Sequence, residues 1–369
     1  LLWTISPVAG GQESSTRYLR MDRSALVPPE RLGVPEGQAT AWLARMDTAF
    51  TAYQQALSYW EDQGRRHPER IRIPAGTPPK AVERMRRNYA FDRARYFLPV
   101  ACATNVMLTM SARAWVGVCQ FLLSHPLPEA VACGNAIREE LGRATPRLLR
   151  HARPLESQAE GLRRERHAAR ARAQVPHPHI DEPRAPTDAP PTAFLEVFPA
   201  RGADPTVLAG DLALHDNRYA YLGEGLRRTG VRFGWDAMAI AEIRDLNRHR
   251  TGTKYCPPNP VGFYAAQDEA PGDAPLPEGL AEVGRAATRA AREGLLRDDA
   301  GYVHELLLGS QFLFEHTTTA DKFLYEAELR TGTGAHYRYA RHLHDALALW
   351  YDIHPETQGL VLEGSAEPE

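Results

Sequence analysis

Apolar residues recur along the first third of the chain at three- and four-residue steps. Trp42, Leu43, Met46, Phe50, Tyr53, Leu57 and Trp60 fall on one face of a helix, so the spacing predicts a long helix that starts after Pro35-Glu36-Gly37. Thr77-Pro78-Pro79 is a second helix start, leading into KAVERMRRNYAFDRARYF. The run from Leu98 to Leu123 opens as an apolar, β-like stretch. Ser111 then offers an N-cap, and Ala112–Leu123 returns to helical spacing. A further helix is expected over roughly Glu129–His151.

The same order of patterns comes a second time. PEGLAEVGRAATRAAREGLL begins at Pro277, again after a Pro-Glu-Gly, and reads as a helix. LLLGSQFLFEHTTTADKFLYEAELR is strand-like and then helical, and a last helix is expected over about Ala335–Tyr351. Internal similarity of this length implies two units of one fold. Between them, Arg163, Arg164, Arg166, Arg170 and Arg172 read as a solvated helix face, and VPHPHIDEPRAPTDAPP as a linker. The expected layout is a first copy over 1–155 that lacks its N-terminal part, an Arg/Pro-rich linker over 156–192, a second copy over 193–360 and a polar tail over 361–369.

Composition narrows the partners. Of 369 residues 43% are apolar and 24% charged, with a net charge of −2, so the molecule as a whole is no electrostatic trap for nucleic acid. An anionic ligand must be held by a local cluster of arginines. No apolar run has the length of a membrane span and no leader pattern is present, although the chain does not begin with Met; the expectation is a cytoplasmic protein. Cys102, Cys119, Cys133 and Cys256 form no CxxC pair and no His-partnered metal spacing, so they are expected to be buried free thiols, with no metal site.

The sharpest chemical string is Arg248-His249-Arg250, in AEIRDLNRHRTGT. It follows the apolar residues Phe233, Trp235, Met238, Ile240, Ile243 and Leu246, read as a helical stretch. Three donors at a helix end can hold a pyrophosphate or carboxylates, although cations also suit a helix C-terminus for its dipole alone.

Several further strings complete a pattern. The first copy carries Gln12-Glu13-Ser14-Ser15-Thr16-Arg17-Tyr18, Arg95 ahead of Leu98-Pro99, Ser111-Ala112-Arg113, and Ile137-Arg138-Glu139. The second carries Arg248-His249-Arg250, Thr319-Ala320-Asp321, Leu329-Arg330, and Ala335-His336-Tyr337. Together these resemble the flavin-dependent thymidylate synthases. That family has RHR, seven residues, then SxRY; an Arg before Leu-Pro; NAR opening a helix that ends in Leu-Arg; and then AQWEIR. The motifs here are divided between the copies. Counting back from Ser15, the RHR positions hold Ile5-Ser6-Pro7, and Leu-Arg has become Phe121-Leu122. In the second copy SxRY has become Pro258-Asn259-Pro260-Val261, and NAR has lost its arginine.

The resemblance implies an α+β fold in two tandem copies, long helices around a small, mainly antiparallel sheet, forming a pseudo-dimer. In the family each site lies between subunits: one supplies RHR and the Leu-Arg arginine, its partner SxRY and the Arg before Leu-Pro. Fused copies that keep complementary sets imply one complete site. Glu13, Ser15, Arg17, Tyr18 and Arg95 would then hold the nucleotide, with Arg248 at its edge. Arg248, His249, Arg250, Ser111 and Arg113 would hold FAD. Arg330 would be the catalytic residue, stabilising negative charge on the uracil ring. The implied reaction is reductive C5 methylation of dUMP with methylenetetrahydrofolate and NADPH, in a homodimer of fused pseudo-dimers. Asp245 stands where the family has Gln, and a carboxylate beside an anionic nucleotide is costly unless neutralised. That departure keeps open C5 alkylation of another uridine nucleotide. Loss of catalysis with nucleotide or flavin binding retained is also compatible with such divergent copies.

Overall fold

The apolar stripe that begins at Trp42 lies on one long helix, closed where His67 meets Pro68. In the computed structural model, residues 10–71, 73–175, 191–199, 207–213, 215–332 and 335–364 are described. Ile5-Ser6-Pro7, most of the proline-rich run and the end of the polar tail lie outside them. In chain order the elements are β1 (Gly10–Glu13), α1 (Pro29–Leu32), α2 (Glu36–Arg66), α3 (Pro79–Ala94), β2 (Val106–Thr109), α4 (Ala112–Leu123), α5 (Pro128–Ala144) and α6 (Glu156–Ala173). There follow β3 (Ala193–Phe198), α7 (Val207–Leu212), α8 (Glu224–Arg228), β4 (Gly230–Ala239), α9 (Ile240–Leu246), β5 (Thr253–Tyr255) and β6 (Gly262–Phe263). The last are α10 (Leu280–Leu296), β7 (Ser310–Thr319), α11 (Ala320–Arg330) and α12 (Tyr337–Ile353). The class is α+β, with mixed helices and small antiparallel sheets, as expected.

The chain divides into two compact units. The first comprises 1–189, 239–241 and 257–312, the second 190–238, 242–256 and 313–369. The division differs from the layout expected from the sequence, because 257–312, expected in the second copy, belong to the first unit.

In the first unit α2 buries Trp42, Met46, Phe50, Tyr53, Leu57 and Trp60, the stripe read from the sequence. It packs on α3 through an edge-on contact of Trp60 with Tyr89, centroids 6.0 Å apart. Ser111 accepts from the Ala114 amide at 3.2 Å and so caps α4, which spans the residues its spacing predicts. α4 and α5 enclose a small core of Val116, Cys119, Leu141 and Ala152. Residues expected to be part of the linker form α6; the carbonyls of its last residue, Ala173, and of Val175 just beyond it accept from the buried Arg292 guanidinium.

The internal geometry of the two copies is consistent with tandem duplication. β1 pairs antiparallel with β2, Gly10 opposite Thr109. β5 pairs antiparallel with β7, Thr253 opposite Thr317. These partners are 243 and 208 residues apart, the same offsets that separate Ser15 from Pro258 and Ser111 from Thr319. The Leu26–Cys102 bridge has a nearby counterpart in the Phe263–Ser310 pair, with Cys102 and Ser310 at the same offset of 208. One contact joins equivalent residues: Pro99 bridges antiparallel to Leu307. Around it the Val100 amide donates to the Leu306 carbonyl, and the Leu308 amide to the Leu98 carbonyl, both at 2.9 Å. A reciprocal pair of this kind is the signature of a local twofold axis.

The second unit holds a sheet of order β3-β4-β7-β5. Val231, Phe233 and Trp235 alternate inward along β4 and are fully buried. Phe233 packs on Phe323 at 4.9 Å, and Phe323 on Trp350 at 5.8 Å. Two readings of the sequence are corrected. Phe233–Met238 is strand rather than helix; only Ile240–Leu246 is helical. The alternation of 231, 233 and 235 runs straight into helical spacing, so one apolar run carries both periods. Nor are all the cysteines buried. Cys119 is buried and Cys102 half-buried, but Cys133 and Cys256 are exposed, and all four are free.

Candidate functional site

Antiparallel pairing decides which ends meet. Because Thr253, the first residue of β5, lies opposite Thr317 near the end of β7, the segment before β5 and the helix after β7 emerge at one end of the sheet. The first is Arg248-His249-Arg250, the second is α11, which ends in Arg330. Gly252 makes the turn between them. Its φ is +72°, and a Cβ there would collide with the Thr317 carbonyl.

All four of these residues line a cavity of about 670 Å³ in the second unit. Arg218, Arg227 and Lys322 add cationic groups, and Tyr219, Tyr221 and Tyr325 supply rings. Arg218 lies over the Tyr219 ring at 5.0 Å and Arg227 over Tyr221 at 4.9 Å. Asp321 and Glu328 are the acidic lining groups among the described residues. Asp321 is answered by Lys322 at 3.3 Å and Glu328 by the buried His215 at 2.7 Å. The wall is therefore strongly cationic and aromatic, which suits an anionic ligand that carries a flat ring.

Behind the wall lies a buried polar cluster. His249 Nε2 stands 3.5 Å from Arg330 Nε and 3.5 Å from Glu326 Oε1. The Tyr339 hydroxyl donates to Glu326 Oε1 at 2.8 Å, and His316 Nδ1 is 3.3 Å from Oε2. Arg330 also lies over the Tyr339 ring, 5.8 Å from its centroid. Burial lowers the His249 pKa to about 4; Glu326 opposes that shift, while Arg330, His316 and Lys254 reinforce it. Burial pushes the Glu326 carboxyl up, but His249, His316 and the Tyr339 hydroxyl outweigh it and hold it at about 2. Asp245, the departure noted above, is buried with Arg248 Nε at 3.9 Å, so an arginine does stand beside it.

The remaining expected residues lie in the first unit. Ser15 heads a closed turn: its hydroxyl accepts from the Arg17 amide at 3.2 Å, and its carbonyl from the Tyr18 amide at 3.1 Å. Arg17 forms a bidentate pair with Asp92, Nε to Oδ1 at 2.7 Å and Nη2 to Oδ2 at 3.0 Å. Asp92 sits on the last turn of α3, three residues before Arg95, so this pair ties the turn to the helix end that carries Arg95. Arg95 is buried, its Nη2 donating to the Ala241 carbonyl at 3.3 Å. Glu13 closes β1, and Tyr18 is half exposed. Ser111 and the exposed Arg113 open α4, at the other end of the β1–β2 ribbon from Ser15. The Ser111 hydroxyl is already engaged as the helix cap.

Sequence reasoning missed Glu326, His316, Tyr339 and Asp92. None sits in a recognisable string, and their importance lies in partners up to 77 positions away, as for His249 and Glu326. The i, i+4 spacing of Glu326 and Arg330 was the one available signal.

The comparisons with known proteins follow this geometry. Residues 6–147 match the family model described as thymidylate synthase complementing protein. The match covers Ser15, Arg17, Arg95, Ser111 and Arg113; Arg248–Arg250 and Arg330 lie beyond it. No curated protein matches the chain. Among solved structures, a UMP/dUMP methylase PolB from Streptomyces cacaoi bound with 5-Br UMP aligns at 14% identity, over 48% of this chain and 97% of that one, TM-score 0.35. The same methylase with 5-Br dUMP aligns at 17%, over 48% and 98%, TM-score 0.30. Thymidylate synthase X from Helicobacter pylori, with FAD and dUMP, aligns at 14%, over 46% and 97%, TM-score 0.28. Over residues 6–147 the chain thus matches the model of the thymidylate synthase complementing proteins, the family its motifs resemble.

Proposed function

We propose that this protein is a flavin-dependent uridine-nucleotide methylase that reductively methylates dUMP at C5, with methylenetetrahydrofolate as carbon donor and NADPH as reductant. The observation that carries the reading is the convergence of Arg248, His249, Arg250 and Arg330, distant in sequence, on one cationic, tyrosine-lined cavity. That wall fits a flavin nucleotide: guanidinium groups for its phosphates, rings for its flat system. When bound, the flavin supplies the hydride chemistry. The chain's own work is electrostatic and positional. Arg248 and Arg250 hold phosphate or carbonyl oxygens, and Arg330 stabilises negative charge on the uracil carbonyl edge. Arginine suits that role because it keeps its proton at any working pH. Ser15, Arg17 and Arg95 serve the nucleotide phosphate, with Glu13 and Tyr18 in the same loop region; Ser111 and Arg113 serve the flavin.

Asp245 supports a second reading, C5 alkylation of another uridine nucleotide. Its carboxylate is buried beside Arg248 and takes up part of that cation's charge. The test is tritium release from 5-labelled dUMP and UMP, on protein whose visible absorbance reports bound flavin. Release from dUMP with rescue of a thymidine auxotroph supports thymidylate synthesis. Release from UMP alone supports the second reading, and colourless protein with no release from either overturns both.

A further inference from the structure

The buried cluster behind the cavity wall has a centre. Glu326 is wholly buried, and its Oε1 contacts both groups that flank Arg330: the Tyr339 hydroxyl at 2.8 Å and His249 Nε2 at 3.5 Å. Arg330 in turn rests against those two groups, Nε at 3.5 Å from His249 Nε2 and its guanidinium over the Tyr339 ring. His249 and Tyr339 are thus the groups against which the Arg330 guanidinium rests. We propose that Glu326 is a positioning residue, which fixes the Arg330 guanidinium at the cavity wall through the two groups it holds there, the Tyr339 hydroxyl and the His249 ring. The inference rests on the reading of this cavity as the anion site.

The physical case has three parts. A carboxylate at zero exposure carries a large desolvation penalty, which only its partners can offset, here the Tyr339 hydroxyl, His249 and His316. Two of those three partners are the groups that Arg330 rests against. Next, His249 Nε2 cannot serve both neighbours at once. To accept from Arg330 it must be an unprotonated nitrogen, and to contact Glu326 favourably it must carry hydrogen. A proton or tautomer change at His249 thus moves the ring's bond from one to the other. Finally, the groups facing His249 are Glu326, Arg330, His316 and Lys254, and the three cations or potential cations oppose its charging, as burial does. Near neutrality His249 is therefore neutral, and its tautomer decides whether Nε2 donates to the ionised Glu326 or accepts from Arg330, while the Tyr339 hydroxyl stays bonded to Glu326.

The test uses the full chain and two variants, Glu326→Leu and Glu326→Gln. Inorganic pyrophosphate is the probe, titrated calorimetrically between pH 5 and 8, and the His249 ring is followed by NMR from pH 7 down to pH 3, assigned by its loss in His249→Gln. We expect pyrophosphate affinity to fall at least about tenfold in Glu326→Leu, the loss that corresponds to one misplaced charge-assisted bond. Glu326→Gln, which can still accept from Tyr339, should recover part of it. In Glu326→Gln the His249 titration should move lower, because the anion that favours its charged form is gone. Unchanged affinity in the folded Leu variant, or an unmoved His249 titration in the Gln variant, overturns the proposal. Neither readout uses the methyl-transfer reaction. Absence of methylation by the wild-type chain would defeat the proposed function and leave this inference standing; absence of pyrophosphate binding to the wild-type chain would defeat this inference.

Discussion

At the scale of single residues, the electrostatics of the second unit are set by burial. His249 has a folded pKa of about 4 against an ordinary 6.5, so the folded protein keeps it neutral where the unfolded chain takes a proton. The contribution to stability is complete above pH 6.5 and is lost as pH falls from 6.5 to about 4. Glu326 shifts the other kind of group the same way: it contributes above about 4.5, and that contribution is lost as pH falls toward 2. Urea midpoints should therefore drop on acidification from pH 7 to pH 4, and His249→Gln should flatten the part of the curve between 6.5 and 4, by up to about 3 kcal/mol. A midpoint independent of pH over that window would contradict it. Arg330→Ala should lower methyl transfer by at least about a hundredfold and change the thermal midpoint little, since the side chain is only half-buried and lines the cavity.

At the scale of elements, the loop that carries Arg248-His249-Arg250 depends on one backbone position. Gly252 takes φ +72° against the Thr317 carbonyl. Gly252→Ala must adopt a disfavoured conformation and push β5 from β7, at a cost of about 1–3 kcal/mol. The loop moves with it, so pyrophosphate binding should weaken together with stability. If the variant melts and binds like the wild type, the turn does not set the loop. The same pairing explains why the cavity forms where it does. β5 is only three residues long, yet its antiparallel match to β7 brings Arg248 and Arg330 to one end of the sheet.

At the scale of the whole molecule, the repeats meet about the Pro99–Leu307 bridge, where equivalent segments exchange reciprocal hydrogen bonds. Leu307 is fully buried there, so Leu307→Ala should cost about 2–5 kcal/mol, read as a lowered thermal midpoint. The division of motifs makes a chain-level prediction. Ser15→Ala and Arg330→Ala, in different copies, should each abolish tritium release from 5-labelled dUMP while the protein stays folded by circular dichroism. Full activity in either variant counts against one reaction that needs both sets.

Much of this was legible along the chain, and the legible part is local. The stripe from Trp42 to Trp60 and the cap at Ser111 are satisfied within a few turns of their own helices, so spacing alone fixed α2 and α4. The order of patterns that suggested two copies was legible for the same reason, and the paired strands are consistent with it. β4 was not, because its alternation merges with the helical spacing of α9 and only a neighbouring strand decides between the two periods. The tertiary structure alone decided that Arg17 faces Asp92, that Asp245 lies beside Arg248 in a buried setting, and that Glu326 sits beneath His249 and Arg330. Such pairings depend on which element covers which, and on a desolvation that no residue carries in its own sequence neighbourhood. Sequence by itself therefore determined the locally satisfied helices and the inventory of cations; packing decided which of those cations share a wall and what holds them there.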